Sequence, residues 1–124
     1  MSWLVRVQTR LTEQEYLVRA LEACGYRLEQ GLAKRLSSEV AFAAKEVVAR
    51  SAEGRQIGFR RGKQGFEAIA AGSDRKRLKS EVARITQQYA YLQVVDKAKQ
   101  QGFDVAETVT QEDGTIQVVV RRWA

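Results

Sequence analysis

Gln56-Ile57-Gly58-Phe59-Arg60-Arg61-Gly62-Lys63-Gln64-Gly65-Phe66-Glu67-Ala68-Ile69-Ala70-Ala71 is the stretch on which the fold class turns. Ile57 and Phe59 alternate with smaller or polar neighbours, the period of a strand with one buried face. Arg61-Gly62-Lys63-Gln64-Gly65 reads as a turn, and Phe66 to Ala70 as the returning strand of a hairpin. Gly72-Ser73-Asp74 then breaks the pattern and offers a helix cap. From Arg75 to about Gln101 the period changes. Leu78, Val82, Ile85, Tyr89, Leu92 and Lys99 mark helical rows, with Val95 adding to the apolar stripe, so this is the longest element. A hairpin leading straight into a long helix points to strands and helices packed in two layers, the α+β class.

The flanks extend this reading. Trp3-Leu4-Val5-Arg6-Val7-Gln8-Thr9-Arg10-Leu11 alternates from Val5 onward, with Val5, Val7, Thr9 and Leu11 on one face. Thr12-Glu13-Gln14-Glu15 has the spacing of a capping box, and Leu17, Ala20, Leu21 and Cys24 then fall on one helical face. Gly25 supplies the left-handed residue that ends the helix. On the far side, Gly102 ends the long helix, and Phe103, Val105 and Val109 alternate into a strand. Asp113-Gly114 reads as a two-residue hairpin turn, and Ile116, Val118 and Val120 alternate back. The run Leu21 to Leu28 echoes Ala98 to Val105: helix end, glycine, aromatic, polar, aliphatic. Residues 37–50 are ambiguous, since Val40, Ala43, Ala44, Val47 and Val48 have helical spacing while Val40, Phe42, Val47 and Val48 also suit a strand. The expected architecture is one domain over 1–124, a mainly antiparallel sheet with two helices on one face, in the order β-α-β-β-β-α-β-β.

Composition narrows the chemistry. The chain has 124 residues, no histidine, no proline and one cysteine. Without histidine there is no Ser-His-Asp or Cys-His nucleophile, and the commonest transition-metal ligand is missing. A single cysteine forms no internal disulfide and fits a reducing compartment. No phosphate-binding glycine loop, secretory signal or membrane-spanning run occurs. The carboxylate pairs Glu13/Glu15, Asp104/Glu107 and Glu112/Asp113 have no companion base or nucleophile at motif spacing. The expectation is a soluble, non-enzymatic protein with no catalytic residue, no metal and no cofactor.

The net charge of +6 is not spread evenly. Arg55, Arg60, Arg61, Lys63, Arg75, Lys76, Arg77 and Lys79 stand in one segment against only Glu67 and Asp74, so the segment carries the whole surplus. These eight residues are the candidate partner- or anion-binding set, weighed against a merely solvated surface. Two partner classes follow: another protein, or, as the alternative, RNA held through segment 55–79 with Phe59 or Phe66 stacking on bases. The hairpin turn and the helix start would have to lie side by side to form one surface. Tyr89 and Tyr91 point apart on a helix, so one is core and the other faces outward. Trp3 and Trp123 would meet if the terminal strands pair.

Several stretches together resemble a family. They are the capped helix ending in Gly25-Tyr26, Ile57-Gly58-Phe59, Gln88-Tyr89-Ala90-Tyr91, Lys99-Gln100-Gln101-Gly102-Phe103, Gln111-Glu112-Asp113-Gly114-Thr115-Ile116 and Arg122-Trp123. The chain resembles the cyanobacterial and plastid family called hypothetical chloroplast reading frame 35, a domain of unknown function, over nearly its whole length and most specifically from Ile85 onward. The resemblance implies a small protein of a photosynthetic cell, cytoplasmic or stromal, and an adaptor role beside an AAA-type ATPase or a photosynthetic assembly. It also implies that Val47 and Val48 lie on a strand pairing with Ile57–Phe59 across Ala52-Glu53-Gly54. Two departures stand out. Trp3 replaces the histidine with which relatives open, and Ala71-Gly72 stands where they carry an acidic residue.

Overall fold

The computed structural model describes residues 3–29, 47–72 and 74–122. Among these residues seven strands and two helices follow one another: β1 (Leu4–Gln8), α1 (Gln14–Ala23), β2 (Arg27–Leu28), β3 (Val47–Arg50), β4 (Gln56–Gly62), β5 (Gly65–Ala71), α2 (Arg75–Gln100), β6 (Phe103–Thr110) and β7 (Ile116–Arg122). The first five strands form one antiparallel sheet in the order β1-β5-β4-β3-β2, and β6-β7 form a separate two-stranded sheet. The α+β class and its mainly antiparallel pairing are as the sequence indicates. The order gains one two-residue strand, β2, directly after the glycine that stops α1.

Register explains the layers. Val7 opposes Ala68, Phe59 opposes both Ala68 and Val47, and Ile57 opposes both Ala70 and Ala49, so these side chains share one face of the sheet. They belong to one buried cluster with Leu17, Ala20 and Leu21 of α1 and Leu78, Val82, Ile85 and Tyr89 of α2. Both helices therefore cover the same face. On the other face Val48 and Ile69 are buried together, with Leu4 packed against them.

The strand expected at Val47 and Val48 is present and pairs with Ile57–Phe59. The helical reading of residues 37–50 fails at Val47–Arg50, and its remainder, from 37 to 46, lies outside the described residues. Three fully buried strand residues decide the matter: Val47 and Ala49 face the helices while Val48 faces the other side.

Three local readings need correction. The first hairpin turn is Lys63-Gln64 alone, because Gly62 pairs with Gly65 and Arg61 with Phe66. Gly65 is required there. Its φ is +133°, and a Cβ would come within 2.8 Å of the Thr9 carbonyl and 2.9 Å of that of Leu11. The second hairpin closes through Glu112-Asp113-Gly114, since Gln111 N donates to Thr115 O at 2.8 Å and Gly114, at φ +88°, supplies the left-handed residue of a three-residue loop. Finally, α1 starts at Gln14 and its cap position, Glu13, makes no side-chain cap bond, so Thr12 and Glu15 are out of phase for a capping box. The Tyr89 hydroxyl anchors the two residues just before the helix instead, accepting from Glu13 N at 2.9 Å and Thr12 N at 3.3 Å. The cap of α2 is as read: Asp74 accepts from Arg77 N at 2.9 Å. The terminal strands do not pair, because β1 joins β5 and β7 joins β6; Trp123 lies outside the described residues.

Candidate functional site

The sheet separates the eight basic residues into two groups. Arg60, Arg61 and Lys63 surround the β4–β5 turn, while Arg75, Lys76, Arg77 and Lys79 begin α2 beyond the other end of β5. The seven residues of β5 lie between them, a separation of roughly 20 Å at about 3.3 Å per residue. Arg55, at the start of β4, belongs to the α2 end. The single positive surface therefore does not form, because one strand has to carry the chain from the turn to the helix.

Several of these cations are engaged. Arg60 sits opposite Glu67 in the ladder and binds it at 2.7 Å. Arg61 donates to the Thr12 carbonyl at 3.0 Å and lies 4.6 Å over the Phe66 ring. Arg75 donates to the Arg6 carbonyl at 3.2 Å. Lys63, Lys76 and Lys79 are exposed. Phe59 and Phe66 are both 0% exposed. Neither can stack on a base, which removes the aromatic half of the RNA reading.

Arg55 is the outlier. Its side chain is only 17% exposed and its Nε donates to both Glu81 oxygens, at 2.9 and 3.2 Å. Tyr26 Oη donates to the same carboxylate at 3.1 Å, and Arg77 Nε stands 3.9 Å from it. Burial first, then the Glu81 charge and its hydrogen bond, push the Tyr26 hydroxyl up to about 12. It stays a donor throughout the physiological range. This cluster joins the end of α1, the β4 start and α2, and no sequence spacing announces it, since Tyr26, Arg55 and Glu81 are far apart in the chain.

A second clamp joins the helices. Asp96 accepts from Tyr16 Oη at 2.9 Å and Arg19 Nη1 at 2.8 Å. Arg19 and then Tyr16 hold the Asp96 carboxyl below its usual range. The Tyr16 ring meets Tyr89 edge-on, with centroids 5.8 Å apart. Tyr89 is thus the core member of the tyrosine pair. Tyr91 lies half-buried, its hydroxyl 3.5 Å from Thr108 Oγ1 of the C-terminal hairpin.

Two of the paired carboxylates bond nearby backbone amides. Asp113 accepts from Thr115 N at 2.9 Å, which lowers its carboxyl, and Asp104 bonds its neighbour's amide. Cys24 is half-buried against the core, and burial pushes its thiol up, opposed by Arg84. No cluster of three or more potential metal ligands occurs among the described residues. No helix among them is long and apolar enough to cross a membrane.

Apart from Trp3, the exposed large apolar residues lie elsewhere. Val109 is 41% exposed, Val119 42% and Val120 40% on the C-terminal hairpin, and Val94 is 49% exposed on the neighbouring half of α2. Register puts Glu107, Val109, Gln117 and Val119 on one face. The other face, with Ile116 and Val118, meets Tyr91 and Val94 of α2 around a small groove. Among the described residues β6 and β7 pair only with each other, which leaves the outer edge of each unpaired.

Residues 20–119 match the family model described as "Protein of unknown function (DUF1257)". The chain belongs to this family. A curated relative, "Uncharacterized protein ycf35" of Cyanophora paradoxa, is 26% identical over 126 residues, covering 99% of this chain and 98% of that protein. The protein of the same name from Pyropia yezoensis is 38% identical over 40 residues, about a third of each chain (32% and 31%). The resemblance seen in the sequence is therefore upheld. No solved structure matches.

Proposed function

We propose that this member of the DUF1257 family is a non-enzymatic protein-binding module that docks its partner on the C-terminal hairpin. One observation carries the reading: Val109 and Val119 stay exposed on the hairpin face turned away from α2, and among the described residues the outer edge of β7 is unpaired. An isolated hairpin is marginal in water, and a long apolar edge strand is a template for another chain. A partner that adds a strand to β7 would satisfy its backbone groups and cover the valines. The adaptor role implied by the family resemblance fits this reading, with an AAA-type ATPase or a photosynthetic assembly as first candidates in a cytoplasmic or stromal setting.

The basic segment then serves as two separate positive ends that raise encounter rates with an acidic partner. The test compares wild type with Val109→Asp/Val119→Asp in affinity capture from a photosynthetic lysate, followed by reconstitution with the purified captured protein. Saturable binding of that protein by wild type, lost in the variant, is expected. RNA binding with a steep salt dependence and no protein partner would replace this reading with the alternative.

A further inference from the structure

A cavity lies beside the Glu81 cluster. It measures about 440 Å³, and its walls come from three places: the α1 stop at Cys24–Tyr26, the β3–β4 connection at Ser51–Glu53, and α2. From α2 come Arg77, Ser80, Glu81 and Arg84. Their spacing of three, four and seven residues puts them on one stripe of the helix. The volume falls in the range of small-ligand sites.

The charges are unequally used. Glu81 is 12% exposed and already held by the Arg55 Nε and the Tyr26 hydroxyl. Its negative charge is answered without help from the other two arginines. Arg77 reaches Glu53 only at 3.4 Å and Glu81 only at 3.9 Å, and Glu53 itself is exposed. Arg84 makes no ion pair among the described residues, yet its charge is felt by both Cys24 and Tyr26 on the cavity wall. On Arg55, Nη2 is buried with no hydrogen-bond partner among the described residues. That nitrogen belongs to the rigid guanidinium whose Nε binds the cavity-lining Glu81, and a buried donor without an acceptor is uncommon. A Cβ built on Gly25 meets nothing within 4 Å, so this wall leaves room.

We propose that this cavity binds a small phosphate monoester, its dianionic head held between Arg77 and Arg84. Guanidinium groups pair with phosphate oxygens through paired, charge-assisted hydrogen bonds. A tetrahedral dianion offers oxygens to both arginines at once, whereas a single planar carboxylate fills only one fork. Ser80 adds a hydroxyl on the same stripe. Segment 55–79 contains Arg77 but stops short of Arg84, so counting charge along the chain finds half of this pair. The proposal is independent of the hairpin surface.

The test is a titration of ¹⁵N-labelled protein with glycerol 3-phosphate at constant ionic strength, with acetate and chloride as controls. Saturating shifts at the amides of Gly25, Ser51 and Ser80 are expected with the phosphate ester only. Arg84→Gln, an exposed change, weakens that binding about tenfold or more, the loss expected for one charge-assisted bond. Lys76→Gln removes the same charge outside the cavity and leaves the midpoint in place. Shifts that fail to saturate, that acetate reproduces, or that respond equally to both substitutions would overturn the proposal.

Discussion

Gly65 shows how much one residue settles. Its amide and carbonyl pair with Gly62, its φ lies in the left-handed region, and two backbone carbonyls of the β1–α1 connection press against the place of a Cβ. Gly65→Ala therefore meets both backbone strain and a clash with atoms that cannot rotate away. We expect a loss of about 2–4 kcal/mol in urea unfolding; a loss under about 0.5 kcal/mol would show that the Thr9–Leu11 segment yields freely. Asp96 gives a pH test at the same scale. Its folded carboxyl titrates below the unfolded value. Its contribution is thus present above the unfolded value, near pH 4, and fades as pH falls through the folded one. Asp96→Asn should be less stable than wild type at pH 7, by a small margin because both partners are partly exposed. The gap should narrow as pH falls below the unfolded value toward the folded one. A gap that persists unchanged there would mean that packing, not charge, is what the substitution disturbs.

At the scale of elements, the legible features were those written within one stretch of chain. Ile57 and Phe59 alternate, Asp74 stands just before the helical period begins, and Gly25 and Gly102 end their helices with φ of +89° and +85°. Features made between distant stretches were not legible. Tyr26, Arg55 and Glu81 meet only once α1, β4 and α2 are packed. Arg60 borders the turn in the sequence, yet it faces Glu67 across the ladder, so Arg60→Glu would oppose two like charges and is not a neutral surface change. The start of α1 shows both sides. Thr12 satisfies the local pattern, but it stands one position before the cap, and its own amide and that of Glu13 are held by Tyr89, 77 and 76 positions away along the chain. Tyr89→Phe should therefore cost about 1–2 kcal/mol through two amides deprived of their acceptor. Thr12→Ala should stay within about 0.5 kcal/mol. Denaturant midpoints of the two variants check this. The reverse ranking would restore the capping box.

For the whole molecule, the division of labour follows from how α2 is used. Its 26 residues extend about 39 Å. The buried positions Leu78, Val82, Ile85 and Tyr89 lie in the first fifteen, where α2 covers the sheet. Beyond them Leu92 and Val95 are only half-buried and Val94 is exposed, and the C-terminal hairpin packs alongside. The five-stranded sheet with its helices forms the core, and the hairpin presents apolar surface that this core does not cover. The family match confirms kinship and leaves function to the physical reading. That reading is tested most directly by placing a photo-crosslinking amino acid at Val119, and in a control at Lys76, then irradiating cells of a photosynthetic host. The account predicts one discrete adduct with a different protein from position 119 and none from position 76. No protein adduct from 119, an adduct with nucleic acid, or an adduct only with a second copy of this chain would contradict it.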